Sequence, residues 1–351
     1  MTSSTLRICH IGVGYWGPNL MRNIAANANA ELAGICDSRA ETLKDVGTKY
    51  PDAKLFDTLD AALADTSIDA VVIATPSGLH FEQAKQALNS GKHVFVEKPL
   101  AETVEQAREL TALAAQQGRI LMVGHTFLYN NLVHEVKAYI DSGELGEVFY
   151  AYSQRLTLGR FRRDSDVMWT LAPHDVSILN YWFDAVPDTV HANGHAYIHP
   201  DSEVAEICFA NLQYPNGRTA HLHLSWLDPQ KRREMIVVGS KKMLVYDDMN
   251  AEAHIQIYDK SAEAQHQSAI SDFADFTTRL RAGGLVVPQT RLTEPLAAEI
   301  AHFVDCCLSG DRPRTDGNHA VDVIAVLEAM GRSMAAGGQS CNVASTAQNG
   351  N

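Results

Sequence analysis

Two ionisable side chains sit against prolines in this chain: Lys98 in Glu97-Lys98-Pro99, and His174 in Ala172-Pro173-His174-Asp175. A lysine amine donates hydrogen bonds to a hydroxyl or carbonyl oxygen, and its pKa falls readily in a partly buried site. Pro173 suits the first position of a helix, where a missing N–H costs nothing. That reading places His174 in the first helical turn, where the dipole disfavours imidazolium and lowers its pKa. A neutral imidazole there can take a hydroxyl proton as hydride leaves the same carbon, or return it in reduction. Composition alone favours plainer roles, a surface lysine paired with Glu97 and one solvated histidine among 15.

A third constellation supplies a partner for such chemistry. The apolar run 6–11 ends in Gly12-x-Gly14-x-x-Gly17, and a helix-compatible segment begins at Pro18. The first glycine permits a tight turn, the second lets backbone approach a pyrophosphate, and the third lets helix and strand pack closely. Tyr15 and Trp16, inside the loop, belong to the same candidate cradle. The next strand-like run, 31–36, ends in Asp37, where a carboxylate accepts hydrogen bonds from both ribose hydroxyls and repels a 2′-phosphate. That favours NAD over NADP; Arg39, which can accept such a phosphate, keeps NADP open. The competing reading of Asp37 is a turn residue capping the next helix. Thr75-Pro76-Ser77-Gly78-Leu79-His80 follows the run 70–74, and Lys98 follows 94–96. Both therefore fall at the carboxyl edge of a parallel sheet, with Thr75, Pro76, His80, Glu97 and Lys98 as candidate cofactor wall. Four arginines, Arg155, Arg160, Arg162 and Arg163, crowd nine residues of an acidic chain, and guanidinium forks match phosphate oxygens. A solvated basic loop pairing with the many acids is the alternative.

The elements that must position these residues change character once along the chain. Strands are expected at 6–11, 31–36, 70–74, 93–96 and 120–123, with helices between them at 19–26, 40–49, 59–63, 81–89 and 103–116. Apolar strands separated by helices predict a parallel sheet covered on both faces. Thr103 with Gln106 forms a capping-box pattern, and Gly118 marks that helix's end. After about Gly124 a helix at 131–142 leads into runs at 148–156, 190–198, 205–214, 218–226, 235–238, 243–247 and 255–258. Asn216-Gly217 signals a hairpin among them. This predicts an α+β domain with a large, mostly antiparallel sheet, closed by helices at 294–308 and 320–334. The expected division is 1–124, 125–336 with final helices packing back on the first domain, and a disordered tail at 337–351.

The 351 residues carry a formal charge of −13, which argues against nucleic-acid binding through bulk positive potential. No window approaches the roughly 18 apolar residues of a membrane span, and the N-terminal residues lack a signal-peptide core. Six cysteines without Cys-x-x-Cys spacing read as reduced thiols in a cytoplasmic protein, with no structural zinc and no metal expected.

The glycine triplet, Asp37, the Thr75-Pro76 loop and Glu97-Lys98-Pro99, in this order and spacing, resemble the Gfo/Idh/MocA family of oxidoreductases. The likeness extends over nearly the whole chain, to the switch into a β-rich second domain and to Gly310-Asp311-Arg312-Pro313 before the final helix. It implies a Rossmann domain binding NAD or NADP. It further implies a second domain that presents a sugar, inositol or nucleotide-sugar and builds a dimer or tetramer. It also implies that Lys98 is catalytic or orients substrate, that Pro99 follows a cis bond, and that His174 is the acid/base. Many members carry an aspartate four residues before that histidine, where this chain has Thr170. Threonine supplies no anionic partner, but it can hydrogen-bond substrate or orient His174, and Asp175 is the adjacent acid. Tyr129-Asn130 matches the family's substrate-side segment except that its usual preceding arginine is Leu128. The segment Leu158-Gly159-Arg160 before Trp169-Thr170-Leu171-Ala172-Pro173-His174-Asp175 resembles members encoded with sugar-nucleotide pathways. The resulting expectation is hydride transfer to or from a UDP- or dTDP-linked sugar, using Lys98 and His174, with Tyr129, Arg160, Arg162, Arg163, Thr170 and Asp175 toward substrate. An inositol or free-hexose dehydrogenase and a non-catalytic NAD(P)-binding regulator are the alternatives.

Overall fold

Short, continuously apolar segments rich in Ile and Val stack as parallel strands because helices cover both of their faces. The computed structural model describes residues 5–159, 161–162, 165–202, 204–264 and 278–344. The first elements are β1 (Leu6–Ile11), α1 (Gly17–Ala26), β2 (Ala30–Cys36), α2 (Ala40–Lys49), β3 (Lys54–Phe56) and α3 (Leu59–Ala64). They continue as β4 (Ala70–Ile73), α4 (His80–Asn89), β5 (His93–Glu97), α5 (Val104–Gln117) and β6 (Leu121–Gly124). Next come α6 (Asn131–Asp141), β7 (Val148–Leu156), α7 (Val167–Phe183), β8 (Thr189–His195), β9 (Ile207–Gln213) and β10 (Thr219–Ser225). The last are β11 (Arg232–Gly239), β12 (Met243–Asp247), β13 (Ile255–Ala264), β14 (Thr278–Val286), α8 (Pro295–Ser309), α9 (Gly317–Ala335) and β15 (Cys341–Asn342). No helix among the described residues is long and apolar enough to cross a membrane.

The chain divides into two compact units, Met1–Asn130 with Thr293–Glu328, and Asn131–Leu292 with Ala329–Ala344. The first unit holds a six-stranded parallel sheet in the order β3-β2-β1-β4-β5-β6. Strand order reverses direction beside β1, so the carboxyl ends of β1 and β4 form the crevice where such sheets bind ligands. Ile8, Val71, Val72, Phe95 and Val96 are wholly buried in this sheet. Thr103 Oγ1 accepts from the Gln106 amide at 3.2 Å, while Gln106 Oε1 reaches the Glu102 amide; Gly118 closes α5 at φ +60°.

The second unit holds a nine-stranded sheet in the order β14-β13-β12-β11-β7-β10-β9-β8-β15. Every neighbouring pair is antiparallel except β7 with β10. Asn216 at φ +65° and Gly217 at φ +77° make the turn between β9 and β10, as Asn-Gly requires. Alternate residues of β9 and β10 are buried, including Cys208, Ala210, Leu222 and Leu224, on the face that α7 covers.

Three expectations need correction. Residues 337–344 are not a disordered tail: β15 pairs with β8, and Val343 is fully buried with its amide bonded to the Asp188 carbonyl. Residues 345–351 lie outside the described part. Strand β3 escapes pattern reading because three residues cannot show alternation, and β14 escapes it because Gly283-Gly284 interrupts any period. Helix α7 begins six residues before Pro173, with consequences described below.

Candidate active site

The glycine loop is built for close approach. Gly12 sits at φ +91°, and a Cβ there would lie 2.8 Å from Thr75 Cγ2 and 3.0 Å from the Ala74 carbonyl. A Cβ at Gly17 would lie 2.6 Å from the Gly12 carbonyl oxygen, so that glycine lets α1 pack on the loop. Gly14 differs: a Cβ there would meet only the Ala74 oxygen at 3.9 Å, ordinary contact. The protein itself does not demand glycine at position 14, whereas a pyrophosphate lying on the loop backbone does. These residues fit a dinucleotide. Tyr15 is 84% exposed and Trp16 half-exposed, on the loop's open side. Beneath it, His10 is fully buried with Nε2 3.1 Å from the Gly12 carbonyl, and burial lowers its pKa to about 4. Neutral His10 is a support that sequence reading missed.

Asp37 lies at the end of β2, and its carboxylate is fully engaged. Oδ2 accepts from the Val13 amide at 2.8 Å and from Arg39 Nη2, while Oδ1 accepts from the Arg39 amide and Nε, all three at 2.9 Å. Arg39 Nη2 also donates to the Val13 carbonyl at 2.8 Å. The Arg39 guanidinium holds the Asp37 pKa down to about 2 against the opposing effect of burial. The acid and the arginine read separately from sequence are thus one unit clasping the glycine loop. A ribose reaching Asp37 must share it with Arg39.

Thr75 and Pro76 lie just beyond β4. Thr75 Oγ1 donates to Gln83 Oε1 at 2.6 Å, and the Pro76 carbonyl accepts from Leu79 in a short 3-10 turn. His80, expected in the cofactor wall, is only 1% exposed. Its Nδ1 lies 2.7 Å from the Pro99 carbonyl and its Nε2 2.9 Å from the Thr75 carbonyl. Burial lowers its pKa, while the two carbonyls, each able to accept from a ring N–H, act in the opposite direction. It braces the Thr75 loop against the Lys98-Pro99 turn rather than facing a ligand. The Lys98-Pro99 peptide is cis. Lys98 follows β5, on the same carboxyl edge as Gly12 after β1 and Thr75 after β4. Glu97 accepts from the Lys98 amide at 3.3 Å and from the Trp16 indole, with burial raising its pKa to about 7.

In the second unit, the sequence account of His174 requires revision. Asp166, not the Pro173 region, caps α7: its Oδ1 accepts from the Trp169 amide at 2.7 Å. Pro173 therefore lies inside the helix, and His174 is in the eighth position, beyond reach of the first-turn dipole. Signals for the true start were an Asp at the cap and the apolar run from Val167. Thr170 Oγ1 donates to the Asp166 carbonyl at 2.8 Å, a bond within its own helix. Asp175, expected toward substrate, is fully buried. Arg155 Nε lies 3.0 Å from both its oxygens and Nη2 2.7 Å from Oδ1. This pair ties α7 to β7, withdrawing Arg155 from the basic cluster. Arg162 is exposed; Arg160 and Arg163 lie outside the described residues.

Tyr129, also expected toward substrate, belongs to the first unit's interior. It is 5% exposed, with its hydroxyl 3.0 Å from Thr315 Oγ1 and Arg314 over its ring.

Comparison with known proteins follows the same division. Residues 6–125 match GFO_IDH_MocA, an oxidoreductase family with an NAD-binding Rossmann fold, and 133–245 match the GFO/IDH/MocA C-terminal domain. The chain is 33% identical over 253 residues to an uncharacterized oxidoreductase, YdgJ, of Escherichia coli strain K12, covering 68% of this chain and 70% of that protein. The chain belongs to the GFO/IDH/MocA oxidoreductase family. It is an NAD-dependent oxidoreductase, and residues 6–125 carry its NAD-binding Rossmann fold. The UDP-N-acetylglucosamine 3-dehydrogenase of Acidithiobacillus ferrooxidans is 30% identical over 246 residues, covering 70% of this chain and 75% of that enzyme. A crystal structure of that dehydrogenase superposes with TM-score 0.75 at 27% identity, covering 95% and 98% of the two chains. An oxidoreductase from Agrobacterium radiobacter, solved with NAD+, L-tartaric acid and magnesium, superposes with TM-score 0.80 at 19% identity, covering 97% and 99%, and shows the shared fold.

Proposed function

We propose that this enzyme moves hydride between NAD and a ring carbon of a sugar, with a nucleotide-linked sugar as the substrate class. The observation that carries the hydride-transfer reading is the placement of Lys98 on the carboxyl edge that also holds the glycine cradle, with β4 alone between β1 and β5. Bound NAD supplies the nicotinamide carbon that accepts or returns hydride. Lys98 donates a hydrogen bond to the oxygen of the reacting carbon, lowering the cost of charge on that oxygen. His174 takes the hydroxyl proton in oxidation and returns it in reduction. The intrahelical bond of Thr170 leaves its oxygen only an accepting role, so the lysine and histidine carry the proton chemistry.

The likeness to a UDP-N-acetylglucosamine 3-dehydrogenase supports the nucleotide-sugar reading, with Arg160, Arg162 and Arg163 toward the phosphates. A second reading, a free hexose or inositol, is favoured by the withdrawal of Arg155 into its ion pair with Asp175. One panel tests both: NADH absorbance with UDP- and dTDP-sugars against the free sugars and inositols. Charge-assisted bonds to phosphate contribute about 1.5–3 kcal/mol, so kcat/KM should favour the nucleotide-linked form by about tenfold or more. Equal or better turnover of free sugars discards the nucleotide, and no turnover of any sugar discards the reaction.

A further inference from the structure

Within the first unit, Arg39 uses up the carboxylate that a dinucleotide's ribose needs. An ionised carboxylate only accepts, at about four lone-pair positions. Asp37 fills four: the Val13 amide and Arg39 Nη2 on Oδ2, the Arg39 amide and Nε on Oδ1, all at 2.8–2.9 Å. Two of those donors are backbone amides, which fix the carboxylate to the glycine loop and to the start of α2. The other two belong to one guanidinium. Ribose hydroxyls donating to Asp37 therefore need the positions that this guanidinium holds.

Position agrees with this count. Arg39 Nη2 donates both to the Val13 carbonyl at 2.8 Å and to Asp37 Oδ2 at 2.9 Å, so the guanidinium spans from the glycine loop to the end of β2. An adenosine ribose is bonded directly to the pyrophosphate that lies on that loop, and reaching Asp37 takes it across the same gap. The Asp37 side chain is 6% exposed and that of Arg39 59%, so the arginine is the partner that can swing out while the acid stays. An ion pair exposed on one side holds by a factor of about five at most, which makes the exchange cheap. We propose that Arg39 is an exchangeable occupant of the ribose position: its guanidinium leaves Asp37 when NAD binds, and the same guanidinium meets the 2′-phosphate when NADP binds.

Arg39 thereby sets how sharply Asp37 separates the two cofactors. The acid alone repels a 2′-phosphate. A guanidinium beside it offsets that repulsion, and its fork matches phosphate oxygens two at a time. Two residues apart on one turn, the acid and the arginine present opposite charges to the same ribose carbon. Removing the arginine therefore sharpens the preference for NAD, the reverse of removing the acid. The inference concerns the cofactor only and does not depend on which sugar the enzyme takes.

The test uses the full chain without substrate, by calorimetric titration with NAD and with NADP. In Arg39→Ala, NAD affinity should hold or tighten by up to about fivefold, because a competitor for Asp37 is gone. NADP affinity should fall about tenfold or more, because the charge-assisted bonds to phosphate are lost. Equal changes in the two affinities, or no change in either, overturn the proposal. Nuclear magnetic resonance of ¹⁵N-arginine-labelled wild type reads the exchange itself. The Arg39 Nε–H signal, assigned by its loss in Arg39→Ala or Arg39→Lys, should shift on saturation with NAD. A signal that stays in place overturns the exchange even where the affinities move. Without cofactor, the Asp37 carboxyl should titrate higher in Arg39→Ala than the value of about 2 it has beside the guanidinium; an unmoved titration overturns the clasp. Absence of turnover with every sugar would bear on the hydride-transfer reading and leave all three readouts standing.

Discussion

Replacing Arg155 by Met would remove one half of a buried, two-pronged ion pair and leave the Asp175 carboxylate with no exposure to water. Breaking such a pair from one side costs about 3–5 kcal/mol, because the remaining charge is stranded in low dielectric. At about 1.4 kcal/mol per decade, the unfolding constant should rise by two to nearly four powers of ten. Replacing both residues, as Arg155→Met with Asp175→Leu, strands nothing and should recover most of that loss, since apolar substitutes of similar volume are often neutral. Urea unfolding followed by tryptophan fluorescence reads this directly, because Trp182 is fully buried in the same unit. NAD affinity of the native fraction should be unchanged, as the glycine cradle belongs to the other unit. A single variant costing less than about 1 kcal/mol, in the range of an exposed pair, would refute this reasoning. So would a double variant as damaging as the two singles summed. Either result would show that the Arg155–Asp175 pair does not hold α7 to β7 with the strength of a buried ion pair.

Two further outcomes concern the cofactor. Asp37→Ala frees Arg39 from its clasp and should erode the preference for NAD, seen as a lower ratio of kcat/KM for NAD over NADP; an unaltered ratio refutes the role of Asp37. Gly12→Ala places a Cβ 2.8 Å from Thr75 Cγ2 at φ +91°, where a left-handed backbone alone costs roughly 1–2 kcal/mol. NAD affinity by fluorescence titration should fall about tenfold or more, and an unchanged affinity would show that the loop backbone does not carry the pyrophosphate.

Much of the first unit was legible because its signals are local. A strand of buried Ile and Val, a glycine at positive φ and a threonine cap each leave a mark within a few residues. The roles of Asp175, Tyr129 and His80 were not legible, since each depends on a partner distant in sequence. Asp175 needs Arg155, twenty residues earlier, and Tyr129 meets Thr315 across 186 residues. His80 looks like a polar loop residue until the Pro99 carbonyl is seen above it. His174 shows a different failure. Pro173 is a valid helix-start signal, but Asp166 provides an earlier one, and the helix tolerates the proline in its interior. The histidine's chemistry survives in the proposal, without the dipole as its cause.

Lys98→Ala tests the central claim most directly, by turnover and NAD titration on the same preparation. Loss of a positioned proton donor lowers rate by about 10²- to 10⁴-fold. Turnover with the best sugar of the panel should fall by that much while the NAD dissociation constant stays within about twofold. Turnover that is unchanged, or lost only in proportion to NAD binding, would contradict the assignment of Lys98 to the reacting carbon.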